Sequence, residues 1–285
     1  MTLQYWYLFP VSICVATLAM ASGVGGATFF SPIFILALKL PAEVAIGTAL
    51  VTEVFGFASG LYAYAHKKII DYRLGMMLII VTVPAALAGT LIAGYIDELI
   101  LKIILGMGLF AVATAFLRNP GHKEVIRMDD SIKQDYPEKK AKTCINTSEG
   151  EKICYTVCDR TEGRIIAGVG GLFVGMISTG LGELNGYFLL RRCRVPSKIS
   201  IATSVFVVAV TALAASAGHI FRFTRTGNEV ITTVLSIVIF TVPGVVIGGQ
   251  LGSRVASYIP QKIMERVLGV LFIFIATLTL AESVL

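Results

Sequence analysis

Six stretches of this chain, about Ala42 to Tyr64, Leu74 to Tyr95, Leu99 to Leu117, Ile199 to Ile220, Val230 to Leu251 and Ile263 to Ala281, each run 19 to 23 residues with at most two acidic or basic side chains. A helix rises about 1.5 Å per residue and the hydrocarbon of a bilayer is about 30 Å thick, so about 20 apolar residues make one crossing. In lipid every backbone N–H and C=O must be satisfied within the chain, and for such a run that leaves the helix. Composition agrees: 55% of the 285 residues are hydrophobic and 15% charged, where a soluble domain carries about 25% charged. A soluble enzyme, with polar faces alternating with apolar ones, is excluded. The basic balance, +6 with a pI near 9.1, reads as anchoring at the cytoplasmic face rather than nucleic-acid binding.

The charges are segregated: 19 of the 42 Asp, Glu, Lys and Arg lie between Arg118 and Arg164. This divides the chain into a first membrane repeat, 1–117, a polar loop, 118–163, and a second membrane repeat, 164–285. Tyr5 to Ser22 is followed by Gly23-Val24-Gly25-Gly26 and a short apolar stretch, Ala27 to Leu38; Arg164 to Thr179 is followed by Gly180-Leu181-Gly182-Glu183 and Leu184 to Leu190. Three long spans then follow in each block. Pro41 to Thr48 lines up with Pro196 to Thr203, Val83-Pro84 with Val242-Pro243, and Tyr95 to Leu117 with Tyr258 to Leu280. Chance likeness between apolar helices matches Leu with Ile; here Tyr, Pro, Gly and Thr align together, which marks an internal repeat. Ala19-Met20-Ala21 resembles a signal-peptide cleavage site, but no basic residue precedes it and the repeat requires the segment.

Loop charge chooses between parallel and inverted halves. If each Gly-rich break is a reversal, each half is a hairpin plus three spans, and 20 of the 24 Lys and Arg fall on one side. If each break lies within one crossing, the division is 15 to 9. The expected fold is therefore an all-α polytopic membrane protein of two homologous, inverted repeats, each a re-entrant or broken helix hairpin followed by three transmembrane helices. The loop 118–163 is expected in the cytoplasm and both termini outside a cell membrane.

Unwound backbone at membrane depth is tolerated where protein or a watery cavity satisfies it, so paired breaks are the best pointer to a binding site. Glycine permits the turn, and the half-helix after it offers free N–H groups and a partial positive end, which suits an anion. Gly25, Gly26 and Gly182 form the breaks, and Thr28 and Asn185 follow them. Thr48 and Thr203-Ser204 begin the next span of each half. These hydroxyls either contact substrate or bond to a preceding helical carbonyl. Glu53 and Glu183 are acids inside apolar segments and are candidates for proton coupling or gating, with helix capping the alternative for Glu183. Gly171-x-x-x-Gly175, Gly244-x-x-x-Gly248 and their like, including Gly56-x-x-x-Gly60, read as close helix packing. His66 and His219 read as interfacial anchors, with proton relay the alternative. Cys144, Cys154 and Cys158 read as thiols in a reducing compartment, or with His122 as a loose zinc set. The loop itself reads as a solvated connector or a small regulatory appendage.

The glycine-rich break with Pro41, Gly47 and Thr48, echoed at Gly180, Gly182, Pro196, Thr203 and Ser204, resembles the sulfite exporter TauE/SafE family of membrane permeases. Glu183 departs from the usual glycine. The resemblance implies a transporter of about eight helical segments in two homologous halves, associated with small sulfur-containing anions such as sulfite and organosulfonates. No Gly-x-x-x-x-Gly-Lys-Ser/Thr motif supplies ATP, so a secondary transporter working by alternating access is expected, with a small anion and a coupling proton as its solutes. An anion channel shares the fold; an intramembrane enzyme, suggested by Ser59 with His66 or His219, lacks any further catalytic element. No cofactor, metal or nucleic acid is expected, only a lipid bilayer around it.

Overall fold

The computed structural model describes residues 3–22, 25–117, 126–127, 130–131, 143–148, 150–156, 160–226, 228–255 and 261–284. The first block folds as α1 (Leu8–Ser22), α2 (Ala27–Leu38), α3 (Ala42–His66), α4 (Tyr72–Ala93) and α5 (Glu98–Leu117). The second folds as α6 (Arg160–Ile177), α7 (Leu181–Gly186) continued by a π-helical turn over Tyr187–Arg192, α8 (Ser197–Thr226), α9 (Asn228–Val255) and α10 (Gln261–Val284). Among the described residues, five helices are long and apolar enough to cross a membrane: α3, α4, α5, α8 and α9. The protein is an all-α polytopic membrane protein with one small sheet. Pro84 and Pro243 sit at matching places inside α4 and α9, where neighbouring helices make such residues tolerable.

Helix packing follows the repeat. α1 lies on α9 and its counterpart α6 lies on α4; α3 pairs with its own counterpart α8, and α5 with α10. Each half thus completes the other. Glycine allows the two cross-pairs to touch through backbone: a Cβ on Gly171 would stand 2.6 Å from the Thr82 carbonyl oxygen, and one on Gly248 would stand 2.5 Å from that of Ile13. The repeat also extends to local backbone. Lys39 and Arg194, each two residues before the matching prolines Pro41 and Pro196, have left-handed φ of 54° and 50°.

Two sequence expectations are corrected. First, the loop is more than a solvated connector: β1 (Thr143–Asn146) and β2 (Lys152–Tyr155) form an antiparallel hairpin. Cys144 and Cys154 are disulfide-bonded across it, and Cys193 is disulfide-bonded as well. Cys144 and Cys154 are therefore not the free thiols expected, and, because a disulfide sulfur is not a thiolate ligand, the zinc set loses two members; Cys158 and His122 lie outside the described residues. The hairpin docks through Ile153 and the fully buried Tyr155 onto Leu74, Phe188, Leu189 and Val195. The Tyr155 hydroxyl donates to Asp71 Oδ2 at 2.5 Å. Asp71 Oδ1 caps α4 by accepting from the Leu74 amide at 2.9 Å. Burial and the adjacent Asp71 carboxylate push the Tyr155 phenol above the ordinary tyrosine range.

Second, His219 is not an interfacial anchor. α8 runs to Thr226 rather than ending at Ile220, so His219 falls inside the helix and is fully buried, whereas His66 is exposed at the end of α3.

Candidate functional site

The two breaks meet. α2 is 12 residues long and α7 six, about 18 Å and 9 Å at 1.5 Å per residue, so neither spans the hydrocarbon. Thr28, in the first turn of α2, donates to Thr179 Oγ1 at 3.1 Å, just ahead of Gly180. One turn further on, Ser31 and Ser178 share a hydroxyl bond of 2.5 Å. Thr52 pairs with Thr241 at 2.9 Å and Thr82 with Thr211 at 2.7 Å. All four hydroxyl pairs cross from one repeat to the other, and Thr82 and Thr241 hold matching positions ahead of the Val-Pro pairs. The interface of the halves is therefore lined by a seam of buried hydroxyls.

The first break is occupied by the chain itself. Glu53, on α3 and 5% exposed, accepts a hydrogen bond from the Ala27 amide at 3.0 Å through Oε1. Its carboxylate lies against Gly25, where a Cβ would collide with Oε1. That contact gives Gly25 a reason to be glycine beyond the turn. The N-terminal end of α2, where free amides and the helix dipole favour negative charge, thus already holds a carboxylate. A cavity of about 20 Å³ adjoins Glu53 and Gly26, walled by Phe30 and Phe57. That is room for one water.

At the second break Gly180 adopts a φ of 107°, a conformation open to glycine. Glu183 stands half-buried in the first turn of α7. Asn185, 1% exposed, has neither amide oxygen nor amide nitrogen paired among the described residues. Gly182 has open space around it, the nearest contact to an added Cβ being Val208 at 3.9 Å.

The structure separates the remaining candidates. Thr48 bonds back to the Val44 carbonyl at 2.6 Å within its own helix. Thr203 Oγ1 accepts from the Asp71 amide at 3.0 Å, joining α8 to the start of α4. Ser204 is buried one residue on. Gly25, Gly26, Thr28, Glu53, Glu183 and Asn185 are gathered at the breaks, and Thr48 and Thr203 are engaged elsewhere. Gly23 lies outside the described residues. Sequence reading missed Ser178, Thr179 and Ser31; their signal was a run of small hydroxyls beside each glycine break. Among the described residues no three His, Cys, Asp or Glu side chains group as a metal site.

Outside the breaks, Glu43 at the start of α3 pairs with Arg222 near the end of α8 at 2.6 Å, across the repeats. The repeat places Lys198 opposite Glu43 and Lys67 opposite Arg222, two like charges. There the hairpin intervenes: Glu151 pairs with Lys198 at 3.1 Å, and the Ser148 amide donates to the Lys67 carbonyl at 3.0 Å.

Membrane helices interlocked around paired half-helices are an arrangement in which membrane transport proteins build their sites. The chain belongs to the sulfite exporter TauE/SafE family, whose model matches residues 8–279. It is similar to the probable membrane transporter protein YunE of Bacillus subtilis (strain 168), with 24% identity over 302 aligned residues covering 99% of each chain. No solved structure matches it.

Proposed function

We propose that the protein is a secondary transporter of a small anion, sulfite or an organosulfonate, working by alternating access at a site between two inverted repeats. The observation that carries this reading is Asn185. An unpaired buried amide costs about 1–3 kcal/mol, and this one stands on the half-helix of the second break, where the halves meet. A ligand with oxygen acceptors, held by the Asn185 amide and the backbone of the breaks, offsets that cost. Thr28, Gly26 and Gly182 shape the site. Glu53 acts as its gate: arriving cargo must displace the carboxylate from Ala27, and Glu53 and Glu183 are the groups available to carry a coupling proton. The hydroxyl seam suits halves that rock, since hydroxyl pairs re-form at low cost after a small slide.

The orientation follows from charge. Lys and Arg favour the loop side by ten to four even with the loop left out, and several separate connections contribute, so we place that side in the cytoplasm. Disulfides are rare in the cytosol, so Cys144–Cys154 argues against this placement, and side-specific labelling of Asn119→Cys decides between charge and disulfide. The test of function is flux in proteoliposomes. Saturable, trans-stimulated uptake of sulfite that falls at least tenfold in Asn185→Leu supports the carrier. A current linear in voltage identifies a channel instead, and uptake indifferent to Asn185 removes the site.

A further inference from the structure

His219 and Ser216 are buried polar residues that the site above does not use. His219, fully buried, holds the Gly175 carbonyl with Nε2 at 2.9 Å; since a carbonyl only accepts, Nε2 carries the hydrogen. Nδ1 is then an acceptor, and it has no partner among the described residues. Ser216, 4% exposed, likewise has an unpaired Oγ. Residues three apart on a helix are neighbours. The helix places a free hydroxyl donor and a free nitrogen acceptor three residues apart on one face, with the Glu43–Arg222 ion pair one turn beyond.

Their place on α8 gives them a direction. Val208, Ala212, Ser216 and His219 recur at spacings of four, four and three, which keeps them on one face. Val208 is the residue nearest Gly182 of the second break, at 3.9 Å. From there to His219 is 11 residues, about 16 Å, half the hydrocarbon. The stripe leads from the break to the Glu43–Arg222 pair. The repeat supplies a control. The matching positions on α3 are Leu61, Tyr64 and Lys67, so the architecture accepts an aliphatic and an aromatic side chain there and does not itself call for Ser and His.

We propose that Ser216 and His219 form a second station on the cargo's route, binding an oxyanion that still carries one acidic hydrogen. The Ser216 hydroxyl donates to one oxygen of the anion, and the anion's own O–H donates to His219 Nδ1. An anion without that hydrogen presents only acceptors to Nδ1 and is disfavoured. The station rests on the transport reading above and adds a substrate preference: a singly protonated oxyanion such as hydrogensulfite over an aprotic one such as methanesulfonate.

Uptake of labelled hydrogensulfite into proteoliposomes, in a medium acidic enough to keep sulfite singly protonated, with methanesulfonate as competitor, tests it. Ser216→Ala should raise the half-saturating hydrogensulfite concentration about tenfold, the worth of one hydrogen bond to an ion, while thermal stability holds or rises because an unpaired hydroxyl has gone. His219→Gln keeps a donor for the Gly175 carbonyl and moves the acceptor from Nδ1 to an amide oxygen placed elsewhere; it should weaken hydrogensulfite about tenfold and leave the methanesulfonate inhibition constant unchanged. An equal shift for both anions, or no shift in Ser216→Ala, overturns the station. Wild-type liposomes that carry neither anion overturn the transport reading, and the station with it.

Discussion

Glu53→Gln separates a gating carboxylate from a structural one. The native carboxylate accepts from the Ala27 amide at 3.0 Å inside the protein. A hydrogen bond to a charged acceptor is worth about 1.5–3 kcal/mol and a neutral one about 0.5–1.5 kcal/mol. Glutamine keeps the size and an acceptor oxygen but cannot ionise, so against the ionised carboxylate the substitution removes about 1.4 kcal/mol from the bond that cargo must break. That is a factor of about ten in affinity. Loss of a negative charge beside an incoming anion works in the same direction. Equilibrium binding of radiolabelled sulfite to purified protein in lipid nanodiscs, in a medium alkaline enough to ionise Glu53, should therefore tighten at least tenfold in Glu53→Gln. If the carboxylate only staples α3 to α2, sulfite affinity will stay the same or fall, and the gate is refuted.

Gly25 and Gly182, symmetric in the sequence, should behave differently: a Cβ at residue 25 collides with Glu53, whereas one at 182 meets Val208 at an ordinary 3.9 Å. Gly25→Ala should alter sulfite affinity while Gly182→Ala leaves it within twofold, and equal effects of the two substitutions would count against the occupied first break. Gly175→Ala should cost several kcal/mol, because its Cβ would stand 2.8 Å from the Ala86 carbonyl carbon and 2.9 Å from the Thr90 amide, and the overpacked helices have only backbone to move; wild-type thermal stability of the purified variant would show the α4–α6 contact to be looser than described. Tyr155→Phe leaves Asp71 Oδ2 without its buried donor and should loosen the hairpin by about 1.5–3 kcal/mol, read as faster hydrogen exchange over 143–156. Because the phenol is held above its ordinary range, this contribution is complete below about pH 10, the unfolded tyrosine value, and is lost only as pH rises through the folded one; hairpin exchange protection that melts between pH 6 and 8 would be contrary evidence. Membrane-impermeant maleimide should label Asn119→Cys and Thr226→Cys from opposite sides, with Asn119→Cys cytoplasmic, and labelling from one side would falsify the inverted repeats.

Much of the architecture could be read from the chain because membrane physics leaves few choices. Runs of about 20 apolar residues had to be helices, and glycine breaks in matching blocks had to fall where backbone could find partners. The elements begin and end within a few residues of the hydropathic boundaries. The local pattern misleads where a partner is remote. Glu53 reaches the amide of Ala27 across 26 residues, and Thr203 leaves its expected place to hold Asp71, 132 residues away. No periodicity encodes either contact. Hydropathy alone ends the helix of His219 at Ile220, whereas Arg222 is neutralised by Glu43 and the helix continues to Thr226. Disulfide pairing was also beyond reach, since spacing alone cannot say which cysteines a hairpin brings together.

The central claim is that the two breaks jointly hold an anion. Selenite, a heavier relative of sulfite, makes the claim visible through anomalous scattering from crystals of the protein grown with it. One selenium peak placed so that the oxygens around it reach the Asn185 amide and the Ala27 N–H, with Glu53 swung aside, is the predicted result. Selenium lodged away from both half-helices, with Asn185 still unpaired and Glu53 still on Ala27, would contradict it.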